Sequence, residues 1–297
     1  MRLGTSNLKR INQRGLALVI VMWMLVLLTI MAAGYSTTTR TETRLTAQQL
    51  YASQARASAE AGLWLVVQDL LKPEPARRWP ADGTSNEIIF SDNQMEIIIQ
   101  DQAGMIDINT ARDELLKGLI ESTGEDEPAV QQLVDAILDW RDRDDLTRLY
   151  GAEDSDYRNS GFDYEAKDGP FNSIDEMRKV MGMTESVYQK IQPALTVYSH
   201  LPGINPEVAP AEVLMAVPGM DSETIDNFMM ERSNPELTAK NPTVPGLNSR
   251  FTNNSKGISY KVTSSCVINE TRVTLEAVIS LRRNSKLPYT VLSWREI

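Results

Sequence analysis

Residues 15 to 39 contain no charged side chain, and Leu16 to Gly34 (LALVIVMWMLVLLTIMAAG) is almost wholly apolar. A run of about 20 such residues is long enough to cross a bilayer as a helix. Arg2, Lys9, Arg10 and Arg14 precede it with no acid among them. The positive-inside bias therefore places Met1 in the cytoplasm and everything after about Thr39 on the far side of the membrane. An uncleaved signal anchor or an ordinary secretory signal peptide fits those two features alone.

Two further details argue for something longer. Ala32-Ala33-Gly34 offers small residues for cleavage, but the helical pattern continues straight through them. Beyond Ser36, Leu45, Ala52, Ala55, Ala59, Leu63, Val66 and Leu70 recur at helical spacing among polar residues. Only Gly34 and Gly62 interrupt before Lys72-Pro73 closes the pattern. One helix from Leu16 to Leu71 would be roughly 85 Å long. It would be apolar in its first half and amphipathic in its second.

The rest of the chain can fold. Of 297 residues, 42% are apolar and 24% charged, which excludes global disorder and a disulfide-held miniprotein. Cys266 and His200 are the sole residues of their kinds, so disulfide stapling, cysteine-rich zinc sites and two-histidine mechanisms are excluded as well. A formal charge of −10 disfavours broad contact with nucleic acid.

Arg14-Gly15 directly before Leu16 resembles the leader of a type IV prepilin. Such a leader is cut after its glycine, here between Gly15 and Leu16, by prepilin peptidase, and removing its four basic residues would take the charge from −10 to −14. Most members of that family carry Glu at the fifth mature position, where it pairs with the neighbouring subunit's amino terminus. Ile20 stands there in this chain, and the resemblance then implies a tip position with no subunit beyond.

Downstream, Glu87 to Phe90 and Gln94 to Gln100 are β-rich runs split by Ser91-Asp92-Asn93, a hairpin signal. Ser259 to Asn269 and Thr271 to Arg283 form a second pair around Asn269-Glu270, with Val273, Leu275, Ala277, Ile279 and Leu281 on one face. Four strands are expected to make one antiparallel sheet packed on the long helix. Between the hairpins the pattern turns helical, at Ala111 to Glu121, Pro128 to Arg141, Ser173 to Met181, Thr184 to Ile191, Pro210 to Val217 and Ser222 to Arg232. The expected organisation is a leader (1–15), a long helix (16–72) that is transmembrane over 16–36, first strands (73–108), an inserted α-helical domain (109–256) and returning strands (257–297). Within the insertion Ile106 to Leu119 echoes Gly203 to Val217, and each copy leads to a helix closing on a charged pair, Arg141-Asp142 and Glu231-Arg232.

Chemistry must rest on carboxylates. Asp139 to Tyr157 holds Asp139, Asp142, Asp144, Asp145, Glu153, Asp154 and Asp156. Ca²⁺ takes six to eight oxygen ligands in tolerant geometry and would relieve their repulsion. Gly151 would reverse the chain and return Glu153 and Asp154 toward Asp142 and Asp144. The spacing is not that of an EF-hand, and a solvated loop partly neutralised by Arg141, Arg143 and Arg148 is the plainer reading. Apolar-Gly-apolar turns at Gly182, Gly203 and Gly219 resemble helix-hairpin-helix motifs. Glu185, Glu207, Asp221 and Glu223 start the adjoining helices, where they suit capping and would repel phosphate. No residue pair is singled out for catalysis, and a membrane-anchored carboxylate hydrolase would need two acids with well-separated pKa values.

The leader, Ile20, the hairpin, the helical insertion, DWRDRDD…YGAEDSDY, GPFNSIDEM and INPEVAPAEVLMAVPGM together resemble the general secretion pathway protein K family, the large minor pseudopilins of type II secretion systems. The resemblance implies an α+β, type IV pilin-like fold interrupted by an all-α domain. It implies a non-catalytic, single-pass inner-membrane subunit of a Gram-negative bacterium, with its C-terminal domain in the periplasm. Its place is the pseudopilus tip, for export of folded proteins. Implied partners are the I, J and H minor pseudopilins and the major pseudopilin, with no nucleic acid and no small-molecule substrate. The family's acidic segment is a calcium site, which maps here onto Asp142, Asp144, Asp145, Glu153, Asp154 and Asp156. A minor pilin of a type IV pilus, serving adhesion, motility or DNA uptake, is the competing reading.

Overall fold

A computed structural model describes residues 14–74, 77–233, 244, 246–255, 257–282 and 287–297. The leader before Arg14 lies outside them. Helix α1 (Arg14–Leu70) is one 57-residue rod, with Gly15 and Leu16 in its first turn. From Leu18 to Tyr35 each large apolar side chain is 45–77% exposed, Ile20 included. No other part of the described chain covers this half.

The second half of α1 is covered by a sheet. Strands β1 (Asp82–Phe90) and β2 (Asn93–Asp101) form a hairpin whose turn residues Ser91 and Asp92 both have positive φ, 48° and 66°. Such left-handed two-residue turns match the natural twist of paired strands. The chain then departs for about 157 residues before β5 (Ser259–Ile268) pairs antiparallel with β2, Met95 opposite Cys266 and Asp101 opposite Tyr260. A second hairpin joins β5 to β6 (Thr271–Ser280) through Asn269 and Glu270, at φ 43° and 69°. A fifth strand, β7 (Thr290–Glu296), adds to β6 at the edge, giving the order β1-β2-β5-β6-β7 where four strands were expected. Its aromatic neighbours reach α1, since Trp64 lies 5.9 Å from Tyr289 and 6.1 Å from Trp294, centroid to centroid.

One core lies between helix and sheet. Ala55, Ala59, Leu63, Val66 and Leu70 meet Met95, Ile97, Ile99, Val262, Cys266, Leu275 and Ala277, all buried. Burying each larger aliphatic side chain contributes about 1.5–3 kcal/mol. At Gly62 an added Cβ would lie 2.3 Å from Ser264 Oγ, so glycine there permits the close approach. Leu45 shares the helical spacing of the buried set yet is 54% exposed; the sheet does not reach back that far along α1.

The excursion between β2 and β5 has its own core, centred on Leu115, Leu116, Ile120, Val130, Leu133, Ile137, Trp140, Tyr157 and Tyr188. After a two-residue strand β3 (Ile106–Asp107) come α2 (Asp113–Glu121) and α3 (Glu127–Arg141). Asp126 caps α3, its Oδ1 accepting from Ala129 N at 3.1 Å. Then follow the short α4 (Asp154–Asn159), a 3-10 turn at Ile174–Lys179, α5 (Glu185–Ile191), β4 (Leu195–Thr196) parallel to β3, α6 (Ala211–Met215) and α7 (Ser222–Ser233). The 3-10 turn stands where a helix from Ser173 to Met181 was expected.

The internal echo is structural. Arg141 at the end of α3 donates to the carbonyls of Ile108 (2.6 Å) and Ala111 (2.9 Å), and Arg232 near the end of α7 donates to those of Pro206 (3.0 Å) and Ala209 (2.6 Å). In each copy an Asx side chain accepts the backbone N–H two residues on, Asp107 from Asn109 and Asn205 from Glu207. Gly182 and Gly219 hold positive φ, whereas at Gly203 a Cβ would meet Phe251 O at 2.6 Å.

Candidate functional site

Helix α3 delivers Asp135 and Asp139 along one side, four residues apart, and Asp142 follows as its C-cap in extended backbone. Asp139 is fully buried and Asp135 nearly so. The loop after α3 folds back against these carboxylates. Tyr150 N donates to Asp135 Oδ2 at 3.1 Å, and Arg148 N to Asp139 Oδ2 at 3.2 Å. Gly151 has no positive φ. Its lack of a side chain matters for another reason: a Cβ there would lie 1.8 Å from Asp139 Oδ2. Close approach, where the sequence suggested a reversal, is what this glycine supplies.

Beyond Gly151, Glu153 is the residue before α4 and is 97% buried, being 3% exposed. Asp156 Oδ2 accepts from Glu153 N at 3.0 Å. A third segment arrives from further along the chain, with Gly169 N donating to Trp140 O at 3.4 Å and Asp168 in the left-handed region at φ 51°. Beneath lies an aromatic floor in which Trp140 meets Tyr157 (5.6 Å), Tyr164 (6.3 Å) and Phe171 (6.2 Å).

Buried polar groups in folded proteins are nearly always hydrogen-bonded, and each exception needs a cause. Among the described residues seven buried side-chain polar atoms lack a partner, and six lie here: Trp140 Nε1, Asp142 Oδ1, both oxygens of Glu153, Asp154 Oδ1 and Asp168 Oδ1. Five are carboxylate oxygens. Two cations among the described residues serve the group: Arg148, whose Nη1 bonds Asp139 Oδ1 and Asp142 Oδ2, each at 2.5 Å, and Arg158, whose Nη2 lies 3.6 Å from Asp154 Oδ2. Burial, then the negative charges of Asp139, Asp142, Asp168 and Asp145, pushes Glu153 up to about 7. Asp168 is likewise raised, by burial and then by Asp154, Asp145 and Asp142.

Of the six acids assigned from sequence, Asp142, Glu153 and Asp154 carry unpartnered buried oxygens here. Asp145 is exposed but contributes charge to Glu153 and Asp168. Asp144 is exposed and its Oδ1 accepts from Leu146 N at 3.1 Å, while Asp156 is engaged by the Glu153 backbone. Asp168 and Asp139 were absent from that set. Asp168 stands in Lys-Asp-Gly-Pro, a turn signal that spacing within 139–157 could not reach.

Among the described residues no three Asp, Glu, His or Cys side chains converge as a finished metal sphere. The donor chemistry nonetheless suits a hard cation: oxygen only, several carboxylates, and five oxygens with no other partner.

The wider resemblances agree with the architecture. Residues 94–200 match the family described as type II secretion system protein K. The type II secretion system protein K of Pseudomonas aeruginosa is 24% identical over 275 residues, covering 85% of this chain and 82% of that protein. That of Aeromonas hydrophila is 25% identical over 317 residues, 93% of this chain and 95% of that protein. A chain in the crystal structure of the GspK–GspI–GspJ complex from enterotoxigenic Escherichia coli superposes with a TM-score of 0.54 at 19% identity, covering 87% of this chain and 98% of that one.

Proposed function

We propose a role that follows from the family to which the chain belongs, type II secretion system protein K: a minor pseudopilin that crowns the pseudopilus and so supports export of folded proteins across the outer membrane. The observation that carries the tip assignment is the pairing of one long helix, apolar and uncovered over Leu18 to Tyr35, with a helical unit that has a core of its own. The helix fits an inner-membrane anchor and a fibre core, whereas the helical unit is too bulky for ordinary pilin spacing. With Ile20 in place of an acid, the chain needs no neighbour beyond it.

In this reading prepilin peptidase cuts between Gly15 and Leu16, and the folded part lies in the periplasm. The solved relative is a complex of K, I and J subunits, and the partners here are the corresponding I and J minor pseudopilins. The role is structural and no residue is assigned to catalysis. Asp142, Glu153, Asp154 and Asp168, with Asp145 nearby, would hold Ca²⁺, which when bound would supply positive charge beyond that of Arg148 and Arg158. Those residues lie at the end of α3, at the start of α4 and in the Asp168 turn, so binding there would tie three segments together.

The test is protein release from a strain lacking this chain beside a complemented one. Exported enzymes are expected to accumulate in the periplasm of the first. Normal release with loss of pili or twitching would overturn the secretion role in favour of a type IV pilus.

A further inference from the structure

We propose that Arg148 sets the affinity of the acidic cluster for a divalent cation by occupying part of that cluster itself, so that ion binding is an exchange of one cation for another. The inference rests on the calcium reading above and adds a residue that opposes it.

Arg148 is not a ligand type; a guanidinium has donors only. Its Nη1 nevertheless bridges Asp139 and Asp142, and Asp142 is the carboxylate that both cations would share. One of its oxygens is on Arg148 while the other is buried with no partner, as are both oxygens of Glu153, which is 97% buried. A cation that collects the unpaired oxygens therefore draws on a carboxylate that Arg148 already holds. One guanidinium brings a single charge in a planar fork suited to two oxygens, whereas a hard divalent ion brings two charges and takes six to eight oxygens.

The way out is open. Arg148 is 37% exposed at its side chain, and Leu149 and Tyr150 beside it are exposed. Its backbone is held independently, through Arg148 N to Asp139 Oδ2 and Gly151 N to Arg148 O at 3.1 Å. Rotation of the side chain into solvent thus frees Asp142 while the loop keeps its path.

The test uses the full chain in detergent, stripped with EDTA and titrated with CaCl2 by calorimetry, with Tm measured in both states. For Arg148→Gln calcium Kd is expected to tighten by about tenfold, the ratio that a loss of roughly 1.4 kcal/mol of competition gives. Its ion-free Tm falls, because buried Asp139 loses its counter-charge, while its calcium-saturated Tm stays near that of the unaltered chain. Arg148→Lys falls between. Arg143→Gln, which removes an exposed charge from the same loop, leaves Kd unchanged.

Equal or weaker binding by Arg148→Gln would overturn the exchange, as would equal loss of Tm with and without calcium, the mark of a merely structural residue. The same gain in Arg143→Gln would also overturn it, by showing that loop charge alone matters. If neither the unaltered chain nor Arg148→Gln binds calcium, the underlying site reading fails and the exchange fails with it. Binding by Arg148→Gln alone would be the exchange in its strongest form.

Discussion

The two cores of this molecule are built on opposite terms. Between α1 and the sheet, apolar surfaces meet and one buried hydroxyl, Ser264 Oγ, lacks a partner among the described residues. At the far end of α3 a site that opens to the surface is walled with carboxylates, five of whose oxygens are buried without a partner. Charge follows the same division: residues 101–257 hold 29 acids against 14 bases, a balance of −15, and the remainder of the chain sums to +5. The first core needs nothing from outside. The second, apolar through most of its volume, carries at one end a shortage of positive charge, and on the calcium reading proposed above its stability is expected to follow what the solution provides.

Chelation should separate them most sharply. With calcium at about a thousand times its Kd, binding adds roughly 4 kcal/mol to the state that holds it, so EDTA should lower the helical unit's unfolding midpoint in calorimetry by about 10 °C. Glu153→Gln should abolish the response. In EDTA at pH 8 it should be at least as stable as the unaltered chain. Glu153 is pushed up to about 7 in the folded state, so its contribution is present at low pH and is lost as pH rises through 7; a neutral amide removes that loss. Calcium-independent Tm in the unaltered chain would erase the contrast between the cores.

Leu63→Ala works on the other side. It opens a cavity against the sheet at a cost of about 3 kcal/mol, and denaturant titration should give the same loss with calcium and without. A calcium-dependent loss would mean that the cores communicate.

The smallest effect lies at the boundary. Asp101 is buried, accepts from Ala103 N (2.8 Å) and Gly257 N (2.9 Å), and is pushed up to about 6, mainly by burial. Its share of stability is present below about pH 4 and is lost as pH climbs through 6. Asp101→Asn should cost about 1 kcal/mol through one broken hydrogen bond and flatten the decline between pH 4 and 7 in thermal melts. An unchanged pH profile would remove Asp101 as its source.

Much of this was legible beforehand, and the residues show why. Hairpins announce themselves locally, so Ser91-Asp92 and Asn269-Glu270 marked their turns correctly, and α1 was visible from its spacing. Strand β7 was not: TVLSWRE follows a polar stretch and sits at an edge with mixed exposure, leaving no clean alternation. Helix α4, DSDYRN, is six residues with one buried side chain, too short for periodicity to speak. The pairing of Ile106 with Leu195 depends on contact across the fold. At the acidic site the sequence supplied the density of carboxylates and could not supply Asp168, which joins through tertiary folding, or the division by which Asp144 and Asp156 serve local backbone N–H groups.

Strands β2 and β5 are antiparallel neighbours, and Asp101 faces Tyr260 across them. If the 157 residues between were exchanged for a tight turn, what remained would be an ordinary β-hairpin inside an intact pilin sheet. The helical unit thus sits where evolution can add cargo at little expense to its host, because both attachment points were already touching. Swapping that cargo among lineages would change what the molecule presents beyond its sheet while the long helix and the strands that cover it stayed the same.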